Sequence, residues 1–514
     1  MRSKNATMNI IIGFSGQILN LILNFILRKI FVIELGMDNL GVQGLFSNMI
    51  TVLSLAELGI GSAIVYSLYK PLAEKDEEKI RQIMHLYHKA YTVIAGIVFL
   101  LGICLIPFLQ VIVKEHGNVP HLKLIYMLYV MNATATYLLS YKRSIIIADQ
   151  KAYVVNLIDN GFLILTVIVQ CIFMILTKSF VVYMMVQIAL TVIKNILITI
   201  EAHRRYPLLK IKAKEKLPKA EMGLLYKNIN ALFLYKISSV VITATDNIII
   251  STFLGVRMVG IYSGYSLIIQ GVTNLLVQMF NALTASVGNL SLEDDKEKRY
   301  FIFNIIELFS FWCYGFCTVC LWQLLNPFIT CWLGEEYLLN NGVVALLVLI
   351  FYISGMLTSL RVFRNGFGLF RQGKMRPVVE SIVNIAVSIV LVQKLGLVGV
   401  FLGTIISRLT VTFWLDPHVV FKYALERHTA PYYKRYVVRL GILLGIMGIT
   451  TGICSFITLT GIWEIALKLV ICLIVPNVIY LMIYGRSKEF RYGLKAVLRT
   501  FKLEKRLEGL MGKL

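Results

Sequence analysis

Apolar residues run along this chain in long blocks separated by short polar gaps. A helix needs roughly 20 apolar residues to cross the hydrocarbon of a bilayer. Fourteen stretches meet that requirement: 8–33, 41–69, 84–113, 122–148, 152–177, 179–200, 228–254, 258–288, 301–325, 341–370, 377–393, 396–415, 436–459 and 462–485. The eleventh is the shortest. The prediction is an all-α integral membrane protein with 14 transmembrane helices.

Polar side chains interrupt some of these blocks at helical spacing. In span one, Gln17, Asn20, Asn24 and Arg28 lie 3, 4 and 4 residues apart, which puts them on one helix face within roughly 80°. In span seven, Lys236, Ser239, Thr243 and Asn247 repeat the spacing, with Asp246 alongside. Adding 219 to each position of the first stripe gives the second. Span eight adds Gln270, Asn274, Gln278 and Asn281. Such stripes either hold helices together by hydrogen bonds or face a water-filled cavity. Two stripes of four or more polar residues, one carrying net charge, exceed what packing needs. They predict a central polar cavity between two lobes, with these residues as its substrate-binding wall. Further charges lie within spans or at their ends: Lys29, Glu57, Lys194, Glu307, Arg361, Arg364, Glu380, Arg408 and Asp416. An ionised group at mid-bilayer costs about 2.5–3.5 kcal/mol, so most should pair or face water. Glu57, Glu307 and Arg408 are expected to be coupling or structural charges. Arg361 and Arg364 are expected to snorkel.

The offset of 219 extends beyond the stripes. Leu35-Gly36 with Gly41 recurs as Leu254-Gly255 with Gly260, and Ser47 matches Ser266. Glu74, Asp76, Glu78 and Lys79 match Glu293, Asp295, Glu297 and Lys298. An offset covering six spans, an even number, gives two halves of the same orientation, related by an axis along the membrane normal. The expected organisation is an N-terminal lobe at 1–200, a basic cytoplasmic linker at 201–227 and a C-terminal lobe at 228–416. An additional helix pair at 417–485 and an amphipathic tail at 486–514 complete it. In the tail Phe490, Leu494, Val497 and Phe501 recur at helical spacing among basic residues, as in helices that lie on a membrane surface.

Composition agrees. Hydrophobic residues make up 58% of the 514 and charged residues 15%, against roughly 25% charged in a soluble domain. The net charge of +23 would point to nucleic acid in a soluble protein. Here 40 of the 51 Lys and Arg fall in or beside segments on the side of the N-terminus, and only 6 fall in the opposite loops. That is the positive-inside pattern. It places both termini in the cytoplasm and gives the charge to anionic inner-leaflet lipids rather than nucleic acid. Cys317-Thr-Val-Cys320 has metal spacing, but no second cluster or nearby His completes a site, so no metal is expected. Gly368-Leu-Phe-Arg-Gln-Gly373-Lys374 imitates a phosphate-binding loop, but Met375 stands where Ser or Thr is required and no strand precedes it. No cofactor, nucleotide-binding domain or hydrolytic motif is present, and the loops outside are too short for a catalytic domain.

Leu35-Gly36 with Gly41, Glu57-Leu-Gly-Ile-Gly61, the Asp246-Asn-Ile-Ile-Ile run before Leu254-Gly255, and Val259-Gly-Ile-Tyr-Ser263, taken with fourteen spans, resemble the Wzx-type polysaccharide flippases. These belong to the multidrug/oligosaccharidyl-lipid/polysaccharide (MOP) exporter superfamily. The resemblance implies two pseudo-symmetric six-helix lobes in a V shape, alternating access, and a multi-pass protein of the bacterial cytoplasmic membrane. It implies transfer of an undecaprenyl-diphosphate-linked oligosaccharide repeat unit, of capsule, O-antigen or teichoic type, from the inner to the outer leaflet. Implied partners are that lipid-linked oligosaccharide, membrane lipids, a polysaccharide polymerase and glycosyltransferases. On this reading the chain is a transporter rather than an enzyme. Arg28 and Lys236 attract the diphosphate, Asn20, Asn24, Gln270 and Asn274 meet sugar hydroxyls, and Asp246 pairs Lys236 or binds a coupling ion. The alternatives are a cation-coupled multidrug exporter of the same superfamily, which needs an acidic, aromatic-lined cavity, and a membrane glycan polymerase or ligase.

Overall fold

The computed structural model describes residues 2–57, 60–113, 119–211, 223, 245–291, 293–369, 372–373 and 375–500. The described residues form helices and no strand. Ten helices among them are long and apolar enough to cross a membrane, and the protein is a multi-pass membrane protein. The chain divides into two compact units, Met1–Gly260 and Ile261–Leu514.

In the first unit α1 (Arg2–Leu35) is followed by α2 (Met37–Leu53), a 3₁₀ turn (Ser54–Glu57) and α3 (Ile60–Glu74). Within predicted span two, 41–69, the α-helical geometry therefore tightens into a 3₁₀ turn at Ser54–Glu57. Then come α4 (Glu77–Leu105), α5 (Leu122–Ser140), a short helix Arg143–Ala148, α6 (Ala152–Thr177) and α7 (Phe180–Arg205). The predicted fifth span coincides with α6. Span seven, 228–254, falls largely outside the described residues; its last turns, from 245, are helical.

The repeat seen in the sequence reappears as local structure. Gly36 and Gly255, 219 residues apart, have φ of 85° and 89°. That left-handed backbone costs glycine little and any side chain more. Asp76 and Asp295, also 219 apart, each cap a helix by accepting a hydrogen bond from a backbone amide, of Lys79 at 3.0 Å and of Lys298 at 2.9 Å. Each cap satisfies one of the N–H groups that a helix start leaves without a partner. Within the first unit, a Cβ on Gly41 would run into the carbonyl of Val256, and one on Gly260 into the carbonyl of Met37.

The second unit holds α8 (Val256–Asn281, entering from the first unit), α9 (Lys296–Trp332), α10 (Asn341–Met356), α11 (Thr358–Gly366), α12 (Arg376–Leu395) and α13 (Leu397–Ser407). After α13 the helix continues through two π-helical turns to Leu425. Next are α14 (Ala430–Cys454), α15 (Ile462–Tyr484) and α16 (Lys488–Thr500). Gly399-x-x-x-Gly403 brings α12 and α13 together: a Cβ on Gly403 would overlap Ser388, and one on Gly399 the carbonyl of Leu391. Gly441-x-x-x-Gly445 does not do the same. Nothing lies within 4 Å of where a Cβ would sit on either glycine, because α14 turns Tyr432, Tyr436, Arg439, Leu443 and Ile446 inward instead.

The extra pair α14–α15 packs along α9 through polar contacts. Glu307, fully buried, lies 2.9 Å from Arg435 and 2.9 Å from Arg439. Gln323 donates to Thr451 at 2.5 Å, and the Trp312 indole donates to Asn477 at 2.7 Å. Phe490 of the tail helix stacks on Phe309 and Trp312, so this end of α16 is docked on the unit. Phe501 lies outside the described residues. Lys296, at the start of α9, donates to Glu426 in the loop after the second π turn and holds its carboxyl below the usual carboxylate range.

Candidate functional site

The polar face of α1 forms part of the wall of a cavity of about 610 Å³ within the first unit. Gln17, Asn20 and Asn24 come from α1, Asn156, Asp159, Asn160 and Gln170 from α6, Gln187, Thr191 and Lys194 from α7, and Gln43 from α2. The spacing explains the convergence. Asn156, Asp159 and Asn160 recur at 3 and 1 residues on α6, and Gln187, Thr191 and Lys194 at 4 and 3 on α7, so each set shares a face. Helix α1 reaches α6 closely because Gly16 leaves room for the Asn160 amide. Asn9 fixes the register below: its side chain donates to the Gln150 carbonyl at 3.1 Å and accepts from the Tyr153 amide at 2.6 Å.

The lining amides are oriented by bonds to the protein. Asn24 donates to the Asn20 side chain at 2.6 Å, Gln43 to the Tyr183 hydroxyl at 2.9 Å, Gln170 to Gln187 at 2.9 Å, and Gln187 to Thr191 at 3.3 Å. Asp159 is held from two sides, by Arg143 at 2.9 Å and Lys194 at 3.3 Å.

Arg143 also lines a second cavity of about 850 Å³ in the same unit, so the Arg143–Asp159 pair stands between the two. The second cavity has a different character. Five tyrosines line it, Tyr69, Tyr87, Tyr91, Tyr129 and Tyr137, with Glu57 at the end of the 3₁₀ turn. The Tyr91 hydroxyl donates to the Glu57 carboxylate. Tyr87 and Tyr91 meet edge to face with centroids 4.4 Å apart, and Ser144 donates to the Tyr87 hydroxyl at 3.1 Å.

Gln17, Asn20 and Asn24 meet in the first cavity. Arg28, one turn further on α1, is half-buried and does not line it. Lys236, Ser239 and Thr243 lie outside the described residues, while Asp246 is buried and Asn247 half-buried. Gln270 and Asn274 are exposed on α8 in the second unit, with Gln270 donating to Ser266 at 3.2 Å. Glu307 is engaged by two arginines, as above. Arg408 lies 3.9 Å from Glu380 and donates to the Ile350 carbonyl at 3.2 Å, while Thr412 donates to Glu380 at 2.6 Å. Arg364 does not snorkel: it is buried 3.1 Å from Asp416, which Arg376 approaches to 2.6 Å. A charge-assisted hydrogen bond to Asp416 gives the buried guanidinium its partner inside the protein.

Asp159, Arg143 and the amides of α6 and α7 were not singled out in the sequence, although the spacing that marks α1 marks them too. The tyrosine cavity gave no such signal, because tyrosine reads as hydrophobic in a scan for polar stripes.

No family model matches the chain, and no curated protein does. Solved structures do. The lipid II flippase MurJ, in an inward closed conformation, superposes with a TM-score of 0.64 at 15% identity over 92% of this chain and 98% of its own. An inward-facing multidrug resistance MATE family transporter of the MOP superfamily gives 0.64 at 15% identity over 80% of this chain and 99% of its own. A MOP superfamily transporter from Pyrococcus furiosus, described by the reversed polarity of its binding pocket, gives 0.55 at 13% over 83% and 97%. The chain therefore has the fold of these transporters.

Proposed function

We propose that this protein is a flippase that moves a polyprenyl-diphosphate-linked oligosaccharide across the bacterial cytoplasmic membrane by alternating access. One observation carries the reading. The polar stripe of α1 meets the amides of α6 and α7 around one cavity, a lining suited to sugar hydroxyls and poorly suited to an apolar drug. A bare diphosphate and its sugars face a prohibitive barrier in hydrocarbon. A hydrated polar cavity removes that barrier while the polyprenyl tail stays in lipid. Arg28, one turn beyond Asn24, and Lys236 are the proposed partners of the diphosphate. An interior-negative potential favours outward movement of an anion by about 2.3 kcal/mol per charge per 100 mV. The likeness in fold to a lipid II flippase over 92% of the chain supports the same class of cargo.

The test is reconstitution in liposomes that carry a polyprenyl-diphosphate oligosaccharide. Glycan accessible to an impermeant probe should rise with the protein present and respond to the sign of an imposed potential. Accessibility equal to that of protein-free liposomes would remove the proposal.

A second reading rests on the other cavity. Five tyrosines around Glu57 fit an amphipathic organic cation, through ring faces and one carboxylate. A carboxylate among aromatic walls is what a cation-coupled multidrug exporter requires, and Arg143 in the same wall is matched by Asp159. On this reading Glu57→Gln abolishes gradient-driven efflux of an organic cation dye from proteoliposomes. Undiminished efflux in the variant, or none in the parent, would exclude it.

A further inference from the structure

We infer that the glycan taken by the first unit's cavity is uncharged: neutral or N-acetylated sugars, without uronic acid, phosphate or free amine. The inference rests on the flippase reading and narrows its substrate.

The lining carries it. Eight of the side chains around the cavity are carboxamides. A carboxamide presents two donors and an acceptor in one plane, and a sugar hydroxyl or acetamido group presents the same mixture. The amides are oriented in advance, since Asn24 is fixed on Asn20 and Gln170, Gln187 and Thr191 form a chain. Charge is scarce and already matched. Asp159 and Lys194 are the only charged residues in the described lining, and they lie 3.3 Å apart. Arg143 reaches the same carboxylate from the far side at 2.9 Å. An acidic sugar would have to draw Lys194 from Asp159 and then sit beside the exposed carboxylate. A basic sugar would have to displace Lys194 or Arg143. Both leave a half-buried charge without its partner, whereas a neutral sugar leaves the triad intact. The volume of about 610 Å³ lies in the range of pockets that enclose small ligands and accommodates a short oligosaccharide.

The test compares two lipid-diphosphate oligosaccharides of equal length and identical polyprenyl chain in the same proteoliposomes. One is neutral, and the other carries carboxyl groups in place of hydroxymethyl groups. The neutral compound should be flipped at least tenfold faster. In Asp159→Asn, which frees Lys194 and Arg143 for a substrate carboxylate, the ratio should narrow or reverse. A carboxylated compound flipped as fast as the neutral one by the unaltered protein overturns the inference alone. Flipping of neither compound removes the flippase reading and this inference with it. A ratio unchanged in Asp159→Asn overturns the role given to the triad.

Discussion

Replacing Glu307 by alanine is expected to destabilise the second unit by about 3–5 kcal/mol, the cost of breaking a buried ion pair from one side. Glu307 is fully buried on α9, with Arg435 and Arg439 of α14 both at 2.9 Å. Removing it leaves two guanidinium groups, one buried and one half-buried, with no acid between them. Against a total stability of about 5–15 kcal/mol, such a loss empties much of the folded population. The check is the thermal midpoint and the monodisperse fraction in detergent. A compensated variant, Glu307→Leu with Arg435→Met and Arg439→Met, should recover most of the loss, because replacing every member of a buried charge cluster by apolar groups is often neutral. A single variant as stable as the parent would show that the triad does not fasten the extra helix pair.

The second large effect concerns transport. Asn20→Leu combined with Asn24→Leu removes two adjacent amides from the cavity wall. At about 1 kcal/mol for each hydrogen bond lost, flipping at low substrate should fall by roughly 30-fold. Ile22→Leu on the exposed face of the same helix should leave the rate unchanged. Stability should change little in either variant, since leucine suits a membrane helix. An unaltered rate in the double variant would detach the α1 stripe from the substrate path.

Much of the fold is legible in the sequence because the bilayer imposes one rule, some 20 apolar residues per crossing. The fifth span, predicted at 152–177, is the helix Ala152–Thr177. Where the sequence misled, local backbone decided. The block 41–69 reads as one apolar run, yet it tightens into a 3₁₀ turn over Ser54–Glu57, a local change of backbone that hydrophobic periodicity does not register. The block 396–415 continues to Leu425 because His418 and Lys422 near its end do not stop a helix. Arg364 differs from expectation for another reason: its partner Asp416 lies 52 residues away, and span ends alone do not reveal a long-range pair.

The site was legible in part. Periodicity found Gln17, Asn20 and Asn24, since four polar residues on one face of an apolar helix are costly unless they face water or partners. It did not reveal which helices complete the wall. That follows from the close approach of α1 to α6 at Gly16, a packing fact with no signature in span one alone. The Glu57 cavity was hidden because its walls are tyrosine, whose hydroxyls become visible as a polar surface only once Tyr87, Tyr91 and Tyr137 are brought together.

The most direct test of the account is a photo-crosslink from the cavity wall. A photoreactive amino acid at position 24 should capture a radiolabelled polyprenyl-diphosphate oligosaccharide through its sugar portion during turnover, while the same group at position 22, on the exposed face of α1, should capture phospholipid or the polyprenyl chain. Sugar captured at 22 and none at 24 would contradict the path proposed here.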